Sequence, residues 1–276
     1  MLKLPMAFSW KFLVRPEKVK KKLNLRNWDA DYRANKSKES VETELTAFSS
    51  QLSELQYKLY ADNRHALVII LQGVDASGKD GTIRHVMGAL NPQSCYVKAF
   101  KAPTTEELSH DYLWRVHNAI PAKGQIAVFN RSHYEDVIEP QVHNLIPKNE
   151  LTTRFRQINE FEKYLSDNHI MVLKFFLHIS KDEQKKRLIK RLHDPTKHWK
   201  ISESDLHNRK YWDKYMVSYE KALAVCSTDY APWYIVPANS KWFRNWVVAQ
   251  ILIKTLDNMK LKYPQPKIDI SKLSID

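Results

Sequence analysis

Leu67-Val-Ile-Ile-Leu-Gln-Gly-Val-Asp-Ala-Ser-Gly-Lys-Asp-Gly-Thr82 begins as an unbroken apolar run and ends in three of the chain's five glycines, Gly73, Gly78 and Gly81. The apolar run suits a parallel strand covered on both faces. Gly73-x-x-x-x-Gly78-Lys79 then reproduces the first seven positions of a P-loop, where backbone N–H groups face phosphate oxygens and the lysine adds a mobile positive charge. Gly73, Ala76, Ser77, Gly78, Asp80, Gly81 and Thr82 are therefore expected around a phosphate. A simple tight turn is the competing reading, but glycine is rare here and the motif falls between an expected strand and an expected helix. One position departs from the motif. A P-loop places Ser or Thr after its lysine to hold Mg²⁺, and this chain has Asp80. A metal must then be held otherwise, and Asp75, a carboxylate carried inside the loop, is the candidate metal ligand or orienting group.

Outward from this stretch, helix and strand alternate. Val41 to Tyr60 carries Leu45, Phe48, Leu52, Leu55 and Leu59 at helical spacing. Helices are expected over 79–90, 105–120, 147–168, 181–193, 202–225 and 241–261, and strands over 67–71, 95–100, 125–129, 169–179 and 233–236. Such alternation predicts an α/β fold with a parallel sheet wrapped by helices and sites at the carboxyl ends of its strands. The 276 residues read as one domain, with a basic, aromatic N-terminal extension over 1–40 and a loosely held tail over 263–276.

Composition narrows the function. Lys and Arg number 44 against 31 Asp and Glu, a net charge of +13 that calls for an anionic partner. No apolar run is long enough for a membrane span and the N-terminus lacks the pattern of a signal peptide, so a cytoplasmic protein is expected. Cys95 and Cys226 have neither disulfide nor zinc spacing and are expected to serve packing.

A second cluster follows the expected strand at 125–129: Asn130-Arg-Ser-His-Tyr-Glu-Asp136. Arg131 offers a guanidinium for bidentate phosphate contact, and Glu135 and Asp136 follow one turn later. Ser132 and Glu135 also have the spacing of a capping box at a helix start. Further on, Lys186, Lys190, Arg187 and Arg191 form adjacent columns on the helix over 181–193, opposite an expected buried face of Leu188, Ile189 and Leu192. A basic helix face alone is usually solvated. Followed by Asp194-Pro-Thr-Lys-His-Trp-Lys200 and Asp205, Arg209, Lys210 and Lys214, this region over about 181–215 reads instead as a cationic lid closing over phosphates. Tyr211, Tyr215 and Tyr219 recur at helical spacing and are better explained by packing than by stacking on a base. His193 and His198 lack a third donor at ligand spacing and are read as structural or phosphate-contacting groups.

Gly73 to Gly81, Phe129-Asn-Arg-Ser-His-Tyr-Glu-Asp-Val137 and Lys190-Arg-Leu-His-Asp-Pro-Thr-Lys-His-Trp-Lys-Ile-Ser202, taken in order, resemble the polyphosphate kinase 2 family from about residue 25 to about 260. The resemblance implies a three-layer α/β/α P-loop kinase fold like that of thymidylate kinase, with a helical lid, in a homo-oligomer, a dimer or tetramer. It implies Mg²⁺-dependent phosphoryl transfer between inorganic polyphosphate and a nucleotide: AMP, ADP and, by extension, GMP and GDP. It assigns catalytic parts to Asp75, Lys79, Arg131 and Arg191 and a lid aspartate to Asp205; beside it, the charge of the basic helix makes Lys186, Arg187 and Lys190 expected phosphate contacts, and Asn130, Glu135, Asp136, His198 and Asp205 are the expected nucleotide contacts. Asn130 departs from the Asp-Arg-Ser-Trp of members favouring diphosphates and is similar to members accepting monophosphates. Two other functions compete: an ATP-dependent nucleoside or nucleotide kinase on the same fold, and a nucleic-acid-binding P-loop protein suggested by the net charge. Asp80 and the broad basic lid argue against the first; the absence of any recognition module argues against the second.

Overall fold

The computed structural model describes residues 11–14, 23–269 and 273. In chain order its main elements are α1 (Lys38–Asp62), β1 (Ala66–Gln72), α2 (Lys79–Val86), β2 (Cys95–Ala99), α3 (Thr105–Ser109), α4 (Trp114–His117), β3 (Ile126–Asn130), α5 (Glu135–His143), α6 (Lys148–Asp167), β4 (Ile170–His178), α7 (Lys181–Leu192), α8 (Glu203–Lys210), α9 (Trp212–Val225), β5 (Trp233–Pro237) and α10 (Lys241–Asn258). The five strands make one parallel sheet in the order β2-β3-β1-β4-β5. Because β1 lies between β3 and β4, the chain leaves toward opposite edges on its two sides, and a crevice opens at the carboxyl end of β1. The P-loop and Arg131 both lie at that end.

All seven residues of β1 are buried, as its unbroken apolar run requires of a central strand. Helices α1, α2 and α10 pack together on one face, and α5, α6 and α9 on the other, giving three layers. The Trp246 Nε1–H donates to Glu44 Oε2 at 2.6 Å, tying α10 to α1. Leu52 and Leu59 of α1 are buried, and Leu45, Phe48 and Leu55 pack against the same core. Residues 12–14 lie beside β5, where the Val14 N–H donates to Trp233 O and the Ile235 N–H to Phe12 O, both at 2.8 Å. The rest of the expected N-terminal extension up to residue 22, and most of the tail beyond 269, fall outside the described residues.

Several expected boundaries move, each for a local reason. The helix expected over 105–120 is two short helices, α3 and α4. The Thr104–Glu107 capping box starts the first, while the Asp111 carboxylate accepts the Leu113 N–H in the turn between them. The helix expected over 202–225 breaks at Tyr211, which ends α8 and starts α9. The helix after the P-loop stops at Val86 and finishes in a 3₁₀ turn, Met87–Ala89. Within α7 only Leu188 of the expected apolar face is buried; Ile189 and Leu192 are exposed, and Gln184 and Arg187 face inward instead. No helix among the described residues is long and apolar enough to cross a membrane.

Candidate active site

The loop between β1 and α2 takes backbone conformations that explain its glycines. Gly78 sits at φ +109°, and a Cβ there would lie 1.8 Å from Arg244 Nη1; one at Gly73, φ +149°, would lie 2.8 Å from Leu177 O. Neither position tolerates a side chain. Ala76 also has a positive φ of 62°. Gly78 is the N-cap of α2 and supplies no side-chain hydrogen bond, so the first N–H groups of the helix keep their capacity to receive an anion. Lys79 is buried, its Nζ donating to Gly73 O at 2.6 Å and to Val74 O at 3.3 Å. Burial and the nearby Arg131 pull its ammonium down to about 8.

At the tip of β3 the chain turns through Arg131, whose φ of 65° is the left-handed conformation that costs a side-chain-bearing residue about 1–2 kcal/mol. This turn points the guanidinium at the P-loop. Its Nη2 meets Asp75 Oδ1 at 2.9 Å and its Nη1 meets Glu135 Oε2 at 3.4 Å. Glu135 and, one helical turn on, Glu139 line the same recess, where Tyr215 O–H donates to Glu139 at 2.9 Å. Burial, with Glu139 beside it, pushes the Glu135 carboxyl above its ordinary range despite the pull of Arg131. Burial likewise raises Glu139, against the hydrogen bond from Tyr215. From the lid side, Asn208 Nδ2 reaches Asp75 Oδ2 at 3.4 Å and Arg209 Nη1 meets Gln184 Oε1 at 2.7 Å. These contacts leave a cavity of about 20 Å³ beside Asp75 and Arg131. That is room for about one water molecule. A larger concavity of about 800 Å³ lies between residues 23–30 and α9, lined by no residue of the P-loop or of the β3 tip; size does not mark the site here.

The expected site residues fall into two groups. Asp75, Lys79, Asn130, Arg131 and Glu135 meet at the P-loop, where the Asn130 Nδ2 donates to Asp80 Oδ1 at 2.9 Å and Lys200 Nζ lies 3.6 Å from Asp80 Oδ2. Others are engaged elsewhere. Asp136 turns to Arg115 at 3.0 Å. Arg187 spends its Nη1 on the carbonyls of Ala76 and Ser77 and its Nη2 on those of Ala238 and Asn239, stapling the P-loop to the turn after β5. Arg191 pairs with Asp205 at 3.7 Å, and Asp205 also closes a capping box with Ser202. His198 contacts Leu192 O at 3.0 Å, and Lys186 and Lys190 are exposed on α7. The capping box expected between Ser132 and Glu135 does not form. Helix α5 starts at Glu135 with Tyr134 as its N-cap, and Ser132 Oγ accepts from Tyr134 N–H and Gln72 Nε2 instead, both at 3.2 Å. Glu139, Asn208, Gln184 and Tyr215 were not anticipated as site residues. The spacing of Glu135 and Glu139, four apart, was the available signal that both face one side of α5.

Behind Arg131 lies a buried polar network that holds the strand tip. Lys174 of β4, fully buried, donates to Glu162 Oε2 at 2.5 Å, to Tyr134 Oη at 2.9 Å and to Cys226 O at 2.7 Å. His133 Nε2 lies 3.2 Å from Glu162 Oε1 and the Tyr134 O–H donates to it at 2.9 Å. Burial works to raise the Glu162 carboxyl, but Lys174 and His133 outweigh it and hold it below the ordinary range. A carboxyl so lowered contributes stability above its unfolded-state value and loses it as pH falls through the folded one. Lys174→Met is expected to cost about 3–5 kcal/mol, because Glu162 is left buried without its cation. Urea denaturation tests this, with Lys174→Met/Glu162→Gln expected to recover most of the loss. A cost under about 1 kcal/mol for the single change would mean the network is not what holds His133 and Tyr134.

A phosphate-ready loop with a buried lysine, an arginine and carboxylates converging on it, and a basic helical segment folded across it define a P-loop phosphotransferase. Comparison narrows the class. The family model for polyphosphate kinase 2 matches residues 35–264. The chain is 49% identical over 232 residues to the AMP/ADP-polyphosphate phosphotransferase of Meiothermus ruber, covering 84% of this chain and 87% of that one. It is 44% identical over 241 residues to the ADP-polyphosphate phosphotransferase of Rhodopseudomonas palustris, covering 83% of each. The crystal structure of polyphosphate kinase 2 from Arthrobacter aurescens TC1 superposes with a TM-score of 0.88 at 42% identity, over 94% of this chain and 95% of that one. The chain belongs to the polyphosphate kinase 2 family.

Proposed function

We propose that this protein is a polyphosphate-dependent nucleotide kinase that converts AMP to ADP and ADP to ATP, and accepts GMP and GDP. An oxygen of the acceptor's terminal phosphate attacks the terminal phosphorus of polyphosphate. The bridging P–O bond breaks and the donor chain leaves one phosphate shorter. Such an oxygen is already anionic near pH 7, so positioning and charge stabilisation carry the catalysis. The observation that carries this reading is the Asp75–Arg131–Glu135 chain of contacts set against the P-loop, in a member of this family. Lys79 and the loop amides hold the transferred phosphoryl group, Arg131 spans donor and acceptor phosphates, and Arg191 is brought in by the lid. Asn130, Glu135 and Glu139 face the acceptor; the name of the Meiothermus relative supports acceptance of both AMP and ADP.

Mg²⁺ fits this donor set. It is characteristically bound through one or two carboxylates plus substrate phosphates, with no all-protein cage, and the described residues contain no cluster of three protein ligands. Asp75, partly exposed at the loop, would hold it. When bound, the ion would offset phosphate charge. A nucleotide needs a pocket of about 300 Å³ or more. The cavity of about 20 Å³ therefore requires α8, with Asn208 and Arg209, to withdraw before the acceptor enters. In the cell the reading is of a cytoplasmic homo-oligomer.

The test offers AMP, ADP, GMP and GDP separately with Mg²⁺ and long-chain polyphosphate, and follows products by anion-exchange chromatography. ADP and ATP from AMP are expected. Product from diphosphates alone would remove the monophosphate assignment, and turnover only with ATP as donor would replace the reading with that of an ordinary nucleotide kinase.

A further inference from the structure

Asp80 stands in the first turn of α2, where a P-loop carries its serine or threonine. An acid there suits the positive end of the helix, which by itself accounts for a first-turn carboxylate. Both oxygens of Asp80 are nevertheless directed off the helix. Oδ1 accepts from Asn130 Nδ2 at 2.9 Å, at the tip of β3, and Oδ2 lies 3.6 Å from Nζ of Lys200, which ends the 3₁₀ turn Pro195–Lys200 in the lid. Burial works to raise the carboxyl, but Asn130, Lys200 and Lys79 outweigh it and hold it below the ordinary range. Asp80 is therefore ionised at neutral pH and can only accept.

An acceptor-only group at this point fixes Asn130. The amide must turn its Nδ2 to Asp80, which sets which way round Oδ1 stands. An aspartate at position 130 would instead place two carboxylates about 3 Å apart, where both cannot be ionised. The residues at 80 and 130 are thus chosen together, and Asp80 disfavours here the aspartate of the diphosphate-favouring pattern from which Asn130 departs. On the lid side the Lys200 pair is long and the Asp80 side chain is 65% exposed, so its energy is small. Its effect is to place a backbone. Lys200 O accepts from Arg191 Nη1 at 3.2 Å, and Arg191 pairs with Asp205. One carboxylate thereby joins the tip of β3 to the lid segment that holds Arg191.

We propose that Asp80 is a positioning residue for acceptor selection: it orients the Asn130 amide and seats the closed lid through Lys200. The inference rests on the proposed function, with polyphosphate as donor and Asn130 facing the acceptor, and adds a second position on which the choice between mono- and diphosphate depends. Asp80 acts through Asn130 and Lys200, not on the substrate. This replaces its expected place as a phosphate contact, since an ionised carboxylate already bonded to two protein groups repels a phosphate.

The test measures kcat and KM for AMP and for ADP, with long-chain polyphosphate and Mg²⁺, in wild type, Asp80→Ala, Lys200→Ala, Asn130→Asp and the exchange Asp80→Asn/Asn130→Asp. The exchange keeps the net charge and reverses the direction of the hydrogen bond. Asn130→Asp alone should lose about tenfold in kcat/KM with both acceptors, the scale of coupling between residues in contact. The exchange should recover most of that loss with ADP and little of it with AMP. Asp80→Ala should lower the ratio of AMP to ADP kcat/KM about fivefold. Lys200→Ala should lower kcat about threefold for both acceptors alike and leave their ratio where it was. An Asp80 that merely supports the helix would move the melting temperature without moving that ratio. If Asn130→Asp does not fold, Asp80→Ala and Lys200→Ala carry the test. An exchange no better than Asn130→Asp with ADP, or an unchanged AMP to ADP ratio in Asp80→Ala, would overturn the assignment. Failure of the donor reading is separately visible as a wild type that phosphorylates neither nucleotide from polyphosphate, and failure of its monophosphate part as one that uses ADP alone.

Discussion

Lys79→Ala is expected to lower kcat by about a thousand- to ten-thousandfold while the chain keeps its fold and its melting temperature. The two halves of this expectation have one cause. Lys79 is buried, and its ammonium is pulled down to about 8 by burial and by Arg131. A lysine whose folded-state value lies below its unfolded one is destabilised in its charged form, so below about pH 8 the charge weighs against folding, and the penalty fades as pH rises toward the unfolded value. Removing the side chain removes that penalty along with two hydrogen bonds to loop carbonyls. On the proposed function, an arriving phosphate offsets this cost. The free enzyme should then show an alkaline limb near pH 8 in kcat/KM for the donor, which reports free-enzyme ionisation. The limb should be missing from Lys79→Ala. Steady-state kinetics across pH with thermal melting of both forms decides it: retained turnover would remove Lys79 from the chemistry, and a collapse of melting temperature would make its role structural.

What the chain discloses of this site, and what it withholds, follows from how local each signal is. The β1 run, the glycine spacing and Lys79 lie within sixteen consecutive residues and their meaning is set by backbone geometry there. Arg131 was legible because an apolar strand ends abruptly beside it. Arg187 was legible as a cation and illegible as a staple: its partners, Ala76, Ser77, Ala238 and Asn239, lie 51 to 111 residues away, and backbone carbonyls carry no sequence signature. The periodicity of α7 misled at Ile189 and Leu192 because a helix at the rim of a domain buries a narrow stripe, here Gln184 and Leu188. The breaks at residues 110–113 and at Tyr211 involve neither glycine nor proline, so helical propensity ran straight through them.

Arg131→Lys is expected to be nearly as damaging as Arg131→Ala, each lowering kcat by about a thousandfold or more. Charge alone does not describe what the guanidinium does. One nitrogen meets Asp75 and another meets Glu135, bridging a carboxylate of the P-loop to one of α5, and a lysine ammonium cannot span both at these angles. Removing the bridge also leaves Asp75, Glu135 and Glu139 facing one recess in which Arg209 is the remaining cation among the lining residues. Burial already raises Glu135 and Glu139; losing Arg131 takes away an opposing influence on both, so they hold protons to higher pH. The residual activity of Arg131→Ala should therefore peak at higher pH than that of wild type, as the carboxylates regain their ionised form later. Arg131→Gly separates backbone from side chain. At φ 65° glycine relieves about 1 kcal/mol of strain, so this variant should be as inactive as Arg131→Ala but more stable. If Arg131→Lys instead keeps more than about a tenth of wild-type kcat, a point charge suffices and the bridging geometry is not what the left-handed turn is held for.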